Sequence, residues 1–189
     1  MRIAAGCSLE GAAVTIDNGS TVELGRGVII KSTAASKGSL TIDNGTLSIA
    51  DRARIVGAEV LVRFGGAMSI GKYSILAGGA EIRCEQQVTI GEYVLVSYDA
   101  CIYDTNAHST GWRERRERIE TCYPDGIAEE SKPETNPVTI GDDVWIGKGA
   151  TVTKGCVLGK RCIVGIRTSV GGAVYGDDSV IVSQKPRVL

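Results

Sequence analysis

The chain holds a single histidine, His108, within residues 100–112, ACIYDTNAHSTGW. Imidazole titrates near neutrality, so its neutral form can take a proton from an alcohol or an amine at physiological pH. Such a base is helped by an acceptor on its second ring nitrogen. Asp104 and Asp99 lie upstream within reach of that task. Asp104 suits the capping of a turn equally well. One histidine cannot build a three-histidine zinc site, and no other metal-ligand spacing occurs, so no metal is expected. There is no Gly-x-Ser-x-Gly elbow and no Walker phosphate loop.

The elements that must position His108 are written as a repeat. From Val138 the chain reads VTIGDD, VWIGKG, ATVTKG, CVLGKR, CIVGIR, TSVGGA. The third residues are Ile140, Ile146, Val152, Leu158, Val164 and Val170, and the first are small or β-branched. Upstream, Ile70, Leu76 and Ile82 keep the same spacing, as do Ile90, Val96 and Ile102. Nearer the start, VTIDNGS at 14–20 and LTIDNGT at 40–46 are near copies. This period fits no amphipathic helix; it fits short strands joined by tight corners, each with two side chains turned inward. Gly, Asn or Asp is expected at corners that need φ > 0, which also accounts for the Asn18 and Asn44 triplets that mimic glycosylation sites. Three blocks close a triangular coil of about eighteen residues, and stacked coils make an all-β, parallel β-helix. The narrow interior explains an aromatic content of only 5 % and places Cys156 and Cys162 in the core.

The period stops after Ile102 and resumes at Val138, which predicts one long loop, about 103–137, extruded from a single β-helix domain over 1–189. Insertions into a solenoid sit outside the coil, often on its binding face. Within this one, GWRERRERIE pairs Arg113 with Glu117, Glu114 with Arg118 and Arg116 with Glu120 at helical spacing. His108 falls at the base of the loop, a favourable place for chemistry.

Composition narrows the function. A net charge of −1 gives no basic field for nucleic acid. No apolar run is long enough for a membrane span. The Gly6-Cys7 pair near the start lacks the apolar stretch of a secretory signal, so a cytoplasmic location is expected. The six cysteines show no CxxC spacing and read as small buried thiols. Val28, Ile75, Leu95 and Cys101 are expected on the outer faces, where association with other copies would bury them.

The run VTIGEYVLVSYDACIYDTNAHS and the run NPVTIGDDVWIGKGATVTKGCVLGKRCIVG together resemble the hexapeptide-repeat acyltransferases, most of all the sugar, maltose, galactoside and capsular-polysaccharide O-acetyltransferases. The resemblance covers roughly residues 68–189. It implies a left-handed coil, a homotrimer with sites between subunits, acetyl-CoA as cosubstrate and a carbohydrate acceptor. It implies His108 as the base, with Asp104 or Asp99 as its partner. Backbone N–H groups near Gly147 and Lys148 would stabilise the oxyanion, and Trp145 would line the pocket. Departures from the family pattern lie at the adenine end, where Gly171-Gly172 and Ile166 stand and SQKPRVL closes the chain. Gly165, Ile166, Arg167, Lys185 and Arg187 are the cofactor contacts expected there. An N-acyltransferase acting on an amino sugar and a non-catalytic scaffold are the alternatives.

Overall fold

The computed structural model describes residues 1–122 and 132–183. Three parallel sheets of eight, eight and seven strands, here sheets A, B and C, wind about one axis. The chain visits A, then B, then C, and repeats, about eight turns in all, the architecture of the left-handed β-helix. Coil 5 is representative, with Gln87–Ile90 in A, Leu95–Val96 in B and Cys101–Tyr103 in C. Coil 6 follows with Val138–Ile140, Trp145–Ile146 and Thr151–Val152.

The hexapeptide positions face the interior as the repeat predicts. Ile140, Ile146, Val152, Leu158, Val164 and Val170 are buried, and so are Val138, Val144, Ala150, Cys156 and Cys162. The near copies at 14–20 and 40–46 stack directly, Val14 on Leu40 and Ile16 on Ile42. Each buried Val, Leu or Ile contributes about 1.5–3 kcal/mol relative to exposure, so every added coil deepens one continuous apolar column. Val28 is part of that column and fully buried, not on the outer face. It is the last residue before the sheet B strand Ile29–Lys31, and there the block's first residue turns inward. Ile75 and Cys101 are half-buried and Leu95 is exposed on the outside.

The corners depart from expectation. Asn44 takes φ 52° as predicted, but Arg52, Phe64, Tyr73, Tyr93, Arg161 and Arg167 also adopt positive φ. Bulky side chains in this region cost on the order of 1–3 kcal/mol each and persist where the surroundings over-determine them. Here stacking fixes the corner, because each coil's turn hydrogen-bonds to the next. Asp51 accepts the Arg26 N–H at 2.8 Å and Asp142 accepts the Glu92 N–H at 3.0 Å. These bonds hold both carboxyls below their usual range, helped by Arg26 and Lys160 respectively. Spacing at the corners is tight. A Cβ at Gly71 would fall on the Gly91 carbonyl of the next coil. Gly71→Ala is therefore expected to destabilise by about 1–3 kcal/mol, read as a lowered midpoint in a thermal or urea melt. An unchanged midpoint would show that the stacked corners can spread.

The one described helix, Trp112–Thr121, lies in the loop, where the charge pattern put it, and buries none of its residues. Residues 123–131 of the loop lie outside the described residues. No described helix is long and apolar enough to cross a membrane.

Candidate active site

The loop leaves the coil at the corner between sheets C and A, and its two legs are fastened together. Thr105 and Thr135 form an antiparallel bridge. The Asn106 N–H donates to the Glu134 carbonyl at 3.1 Å, and the Asn136 N–H donates to the Asp104 carbonyl at 2.9 Å. Lys154 from the next coil pairs with Glu134 at 2.8 Å.

Asp104 is fully buried at this clamp. Its carboxylate accepts the backbone N–H groups of Glu85, Gln86 and Gln87 at 2.8, 2.7 and 2.7 Å. The carboxylate thus caps the corner one coil below, the second of the two roles open to it from sequence. Beside it, burial pushes the Cys84 thiol up to about 12, with the charge of Asp104 adding to the effect. Cys84 therefore stays a neutral core side chain.

Sequence reasoning missed the residues that aim the loop. Arg63 donates to Glu85 at 2.7 Å in a largely buried ion pair. The Thr105 hydroxyl donates to the other Glu85 oxygen at 2.7 Å and accepts the Ala107 N–H at 3.1 Å. Ala107 turns through φ 62° and delivers His108, exposed, to the surface. The only sequence signal was a Glu at a corner where the period expects Gly, Asn or Asp. Burying that charge requires a partner such as Arg63. Downstream, Ser109 hydrogen-bonds Glu114, and Arg115 donates to the Ser109 carbonyl at 2.8 Å, tying His108 to the start of the helix.

The other candidates gather elsewhere, on sheet B and the corner between B and C. Asp99 pairs with Lys148 at 3.5 Å, both well exposed, and contacts no imidazole among the described residues. The Trp145 indole N–H donates to the Ser97 hydroxyl at 3.0 Å, which fixes an exposed ring across the outer face of sheet B. Gly147 packs on the backbone of Gly165 and Ile166 one coil on. Its N–H is committed to the Val164 carbonyl at 2.8 Å. Among the described residues the backbone N–H groups of Lys148 and Ile166 make no backbone hydrogen bond. They sit at equivalent corner positions one strand spacing apart, about 4.8 Å. Arg167 follows at φ 52°. Lys185 and Arg187 lie outside the described residues, and no group of three metal-ligating side chains occurs among those described.

Within one chain, His108 and the Trp145–Arg167 group thus stand on different edges of the prism. The strand Cys101–Tyr103 of sheet C lies between the corner at Asp99 and the corner at Asp104.

Comparison with known proteins follows the same division. Residues 137–172 match the bacterial transferase hexapeptide family (six repeats). No curated protein matches the chain in sequence. The fold recurs in a hexapeptide-repeat-containing acetyltransferase from Vibrio cholerae O1 biovar eltor, complexed with acetyl coenzyme A. There the TM-score is 0.51 at 22 % identity, over 66 % of this chain and 60 % of that one. It recurs in the polySia-specific acetyltransferase NeuO, with TM-score 0.53, 13 % identity, and 99 % and 85 % coverage. The polysialic acid O-acetyltransferase OatWY gives TM-score 0.53, 17 % identity, and 99 % and 93 % coverage. At these identities the likeness is one of fold. The hexapeptide match begins where the loop ends, so the loop and His108 stand just upstream of the family's repeats.

Proposed function

We propose that the protein is an acetyl-CoA-dependent acetyltransferase that acts on a hydroxyl of a sugar or glycan, with His108 as general base. The observation that carries this reading is the placement of His108: the chain's single imidazole, held exposed at a clamped loop base next to hexapeptide transferase repeats. Neutral imidazole takes the proton of the acceptor hydroxyl as its oxygen attacks the thioester carbonyl. The carbon–sulfur bond then breaks, and the imidazolium returns the proton to the departing thiolate.

The residues of the B–C edge suit the cosubstrate. The Lys148 N–H is the donor available for the oxyanion, in place of the expected Gly147, and the Ile166 N–H for a pantetheine amide carbonyl. Trp145 offers a fixed flat wall. Lys148 and Arg167 supply charge for phosphates, Lys148 being released from Asp99 on binding. Asp104 acts as a structural cap in this scheme and Asp99 as the resting partner of Lys148.

Because His108 and these groups lie on different edges, the site is completed by a second copy, and a homotrimer brings unlike edges together three times.

The test is CoA release from acetyl-CoA with a panel of sugars, amino sugars and glycan fragments. Turnover with a hydroxyl acceptor is expected. Turnover with amino sugars alone would make it an N-acyltransferase, and failure to bind CoA in a titration would make it a scaffold. Trp145→Ala is expected to raise KM for acetyl-CoA roughly tenfold, since an aromatic contact is worth on the order of 1–1.5 kcal/mol, with the melting midpoint unchanged. An unaltered KM would remove Trp145 from the cosubstrate site.

A further inference from the structure

A cleft lies on the sheet B face, towards the N-terminal coils and away from the cofactor candidates. It encloses about 750 Å³, within the range of a ligand site. Its floor is the outward register of sheet B, Ile29, then Arg54, then Ile75. Its wall is the corner between sheets A and B, where Arg52, Tyr73 and Tyr93 stand on successive coils. The two tyrosine rings are stacked, 5.1 Å apart and 9° from parallel, and the Arg52 guanidinium lies 5.8 Å from the Tyr73 ring centre. Stacking occupies the facing sides of the rings and leaves the phenol edges to line the cleft.

The charges in this cleft are unbalanced. Arg26 is paired with Asp51 at 2.8 Å. Arg54 has no carboxylate partner among the described residues, and Arg52, set over the Tyr73 ring, shares Asp51 with Arg26 through charge attraction without a direct ion pair. Three arginines against the single Asp51 leave the cleft with an excess of two positive charges beside Ile29, Ile75 and the two phenols. All three corner residues, Arg52, Tyr73 and Tyr93, adopt positive φ, of 61°, 60° and 57°. Gly or Asn would take that conformation with less strain. The stacked corners impose this conformation here as they do on Phe64, Arg161 and Arg167 elsewhere, and it fixes the direction in which the three side chains leave the coil.

We propose that this cleft binds an acidic oligosaccharide, with a sugar carboxylate forked by Arg52 and Arg54. The apolar faces of its rings rest on Ile29 and Ile75, and its hydroxyls reach the phenols of Tyr73 and Tyr93. Guanidinium matches a carboxylate in two-point geometry. From Arg26 to Tyr93 the cleft spans four coils, three strand spacings or about 14 Å, more than a single ring occupies. An excess of two positive charges in the cleft, in a chain of net charge −1, suits sparse anions separated by uncharged surface. Nucleic acid, with a phosphate at every step, calls for a broader basic field. The floor continues in register from Ile75 to Leu95 and then Trp145. A glycan lying in the cleft is thus directed towards the acyl-transfer site. That role as an acceptor track rests on the acyltransferase reading; the binding itself does not.

The experiment is direct binding to the full chain, by calorimetry, of tetramers of sialic acid and of galacturonic acid, with maltotetraose as the neutral control. At least one acidic tetramer is expected to bind, maltotetraose is not, and Arg54→Gln and Arg52→Gln should each weaken binding at least tenfold. Lys160→Gln, a substitution on the same edge but outside the cleft, should leave it unchanged. Binding by neither acid, equal binding of maltotetraose, or binding indifferent to both arginine substitutions would each overturn the proposal. Acetyl transfer is read separately. Tetramer binding without transfer keeps the cleft and removes the acyltransferase reading. Transfer to a glycan at a rate untouched by Arg52→Gln and Arg54→Gln, together with unaltered binding, keeps the enzyme and removes the cleft.

Discussion

His108→Ala lowers kcat/KM for acetyl transfer by at least about 10²-fold and leaves the melting midpoint where it was. The first half follows from the loss of the only imidazole: a positioned general base contributes roughly 10²–10⁴-fold, and no second histidine can substitute. The second half follows from exposure. His108 stands in solvent, and surface substitutions of this kind change stability by no more than about 0.5 kcal/mol. Paired kinetics and thermal melts decide it. Equal turnover by the variant would transfer the base role to another group, and a lowered midpoint would mark His108 as part of the clamp.

Asp104→Ala should show the opposite profile. Three backbone N–H groups, those of buried Glu85 and exposed Gln86 and Gln87, lose a charged acceptor that is itself fully buried. Hydrogen bonds to a charged group contribute about 1.5–3 kcal/mol each, and relaxation of the corner, with water reaching Gln86 and Gln87, recovers part of the sum. A loss of about 3–5 kcal/mol is expected, among the larger effects of single substitutions, and it should appear in a urea melt before any assay is run. Asp104→Asn, which keeps one carbonyl oxygen at the corner, should lose less. A variant that melts normally but has lost activity would return Asp104 to the role of orienting His108. The two substitutions thus separate a group that does chemistry from a group that holds the floor beneath it.

The coil was readable because its physics is local and repeated. Each inward position from Val138 to Val170 obeys one steric rule, and six copies of the rule outweigh any exception. The helix Trp112–Thr121 was readable for a similar reason, from charge pairs at helical spacing. Val28 was misplaced because the N-terminal repeats are looser and the phase of the block there is ambiguous. Tyr73, Tyr93 and Arg52 at positive φ were invisible, since local preference argues against them and only the stacked coils impose them. The site divides in the same way. His108 was conspicuous by its rarity. Glu85, Arg63 and Thr105 were hidden because their link is made across coils, between residues distant in sequence. Whether Asp104 faced a ring or a corner was a matter of direction, which spacing does not encode.

The loop enters and leaves without disturbing the stack. Val88 pairs with Val138 and Ile102 with Val152 as though nothing intervened, while Thr105 and Thr135 close the gap between the two legs. Loop-closure entropy rises only slowly with length, so arms of other sizes and chemistries could be seated on the same footing. The architecture of the coil therefore does not depend on what the loop carries. An exchange of segments between the bridge residues would leave the column of aliphatic side chains as it was.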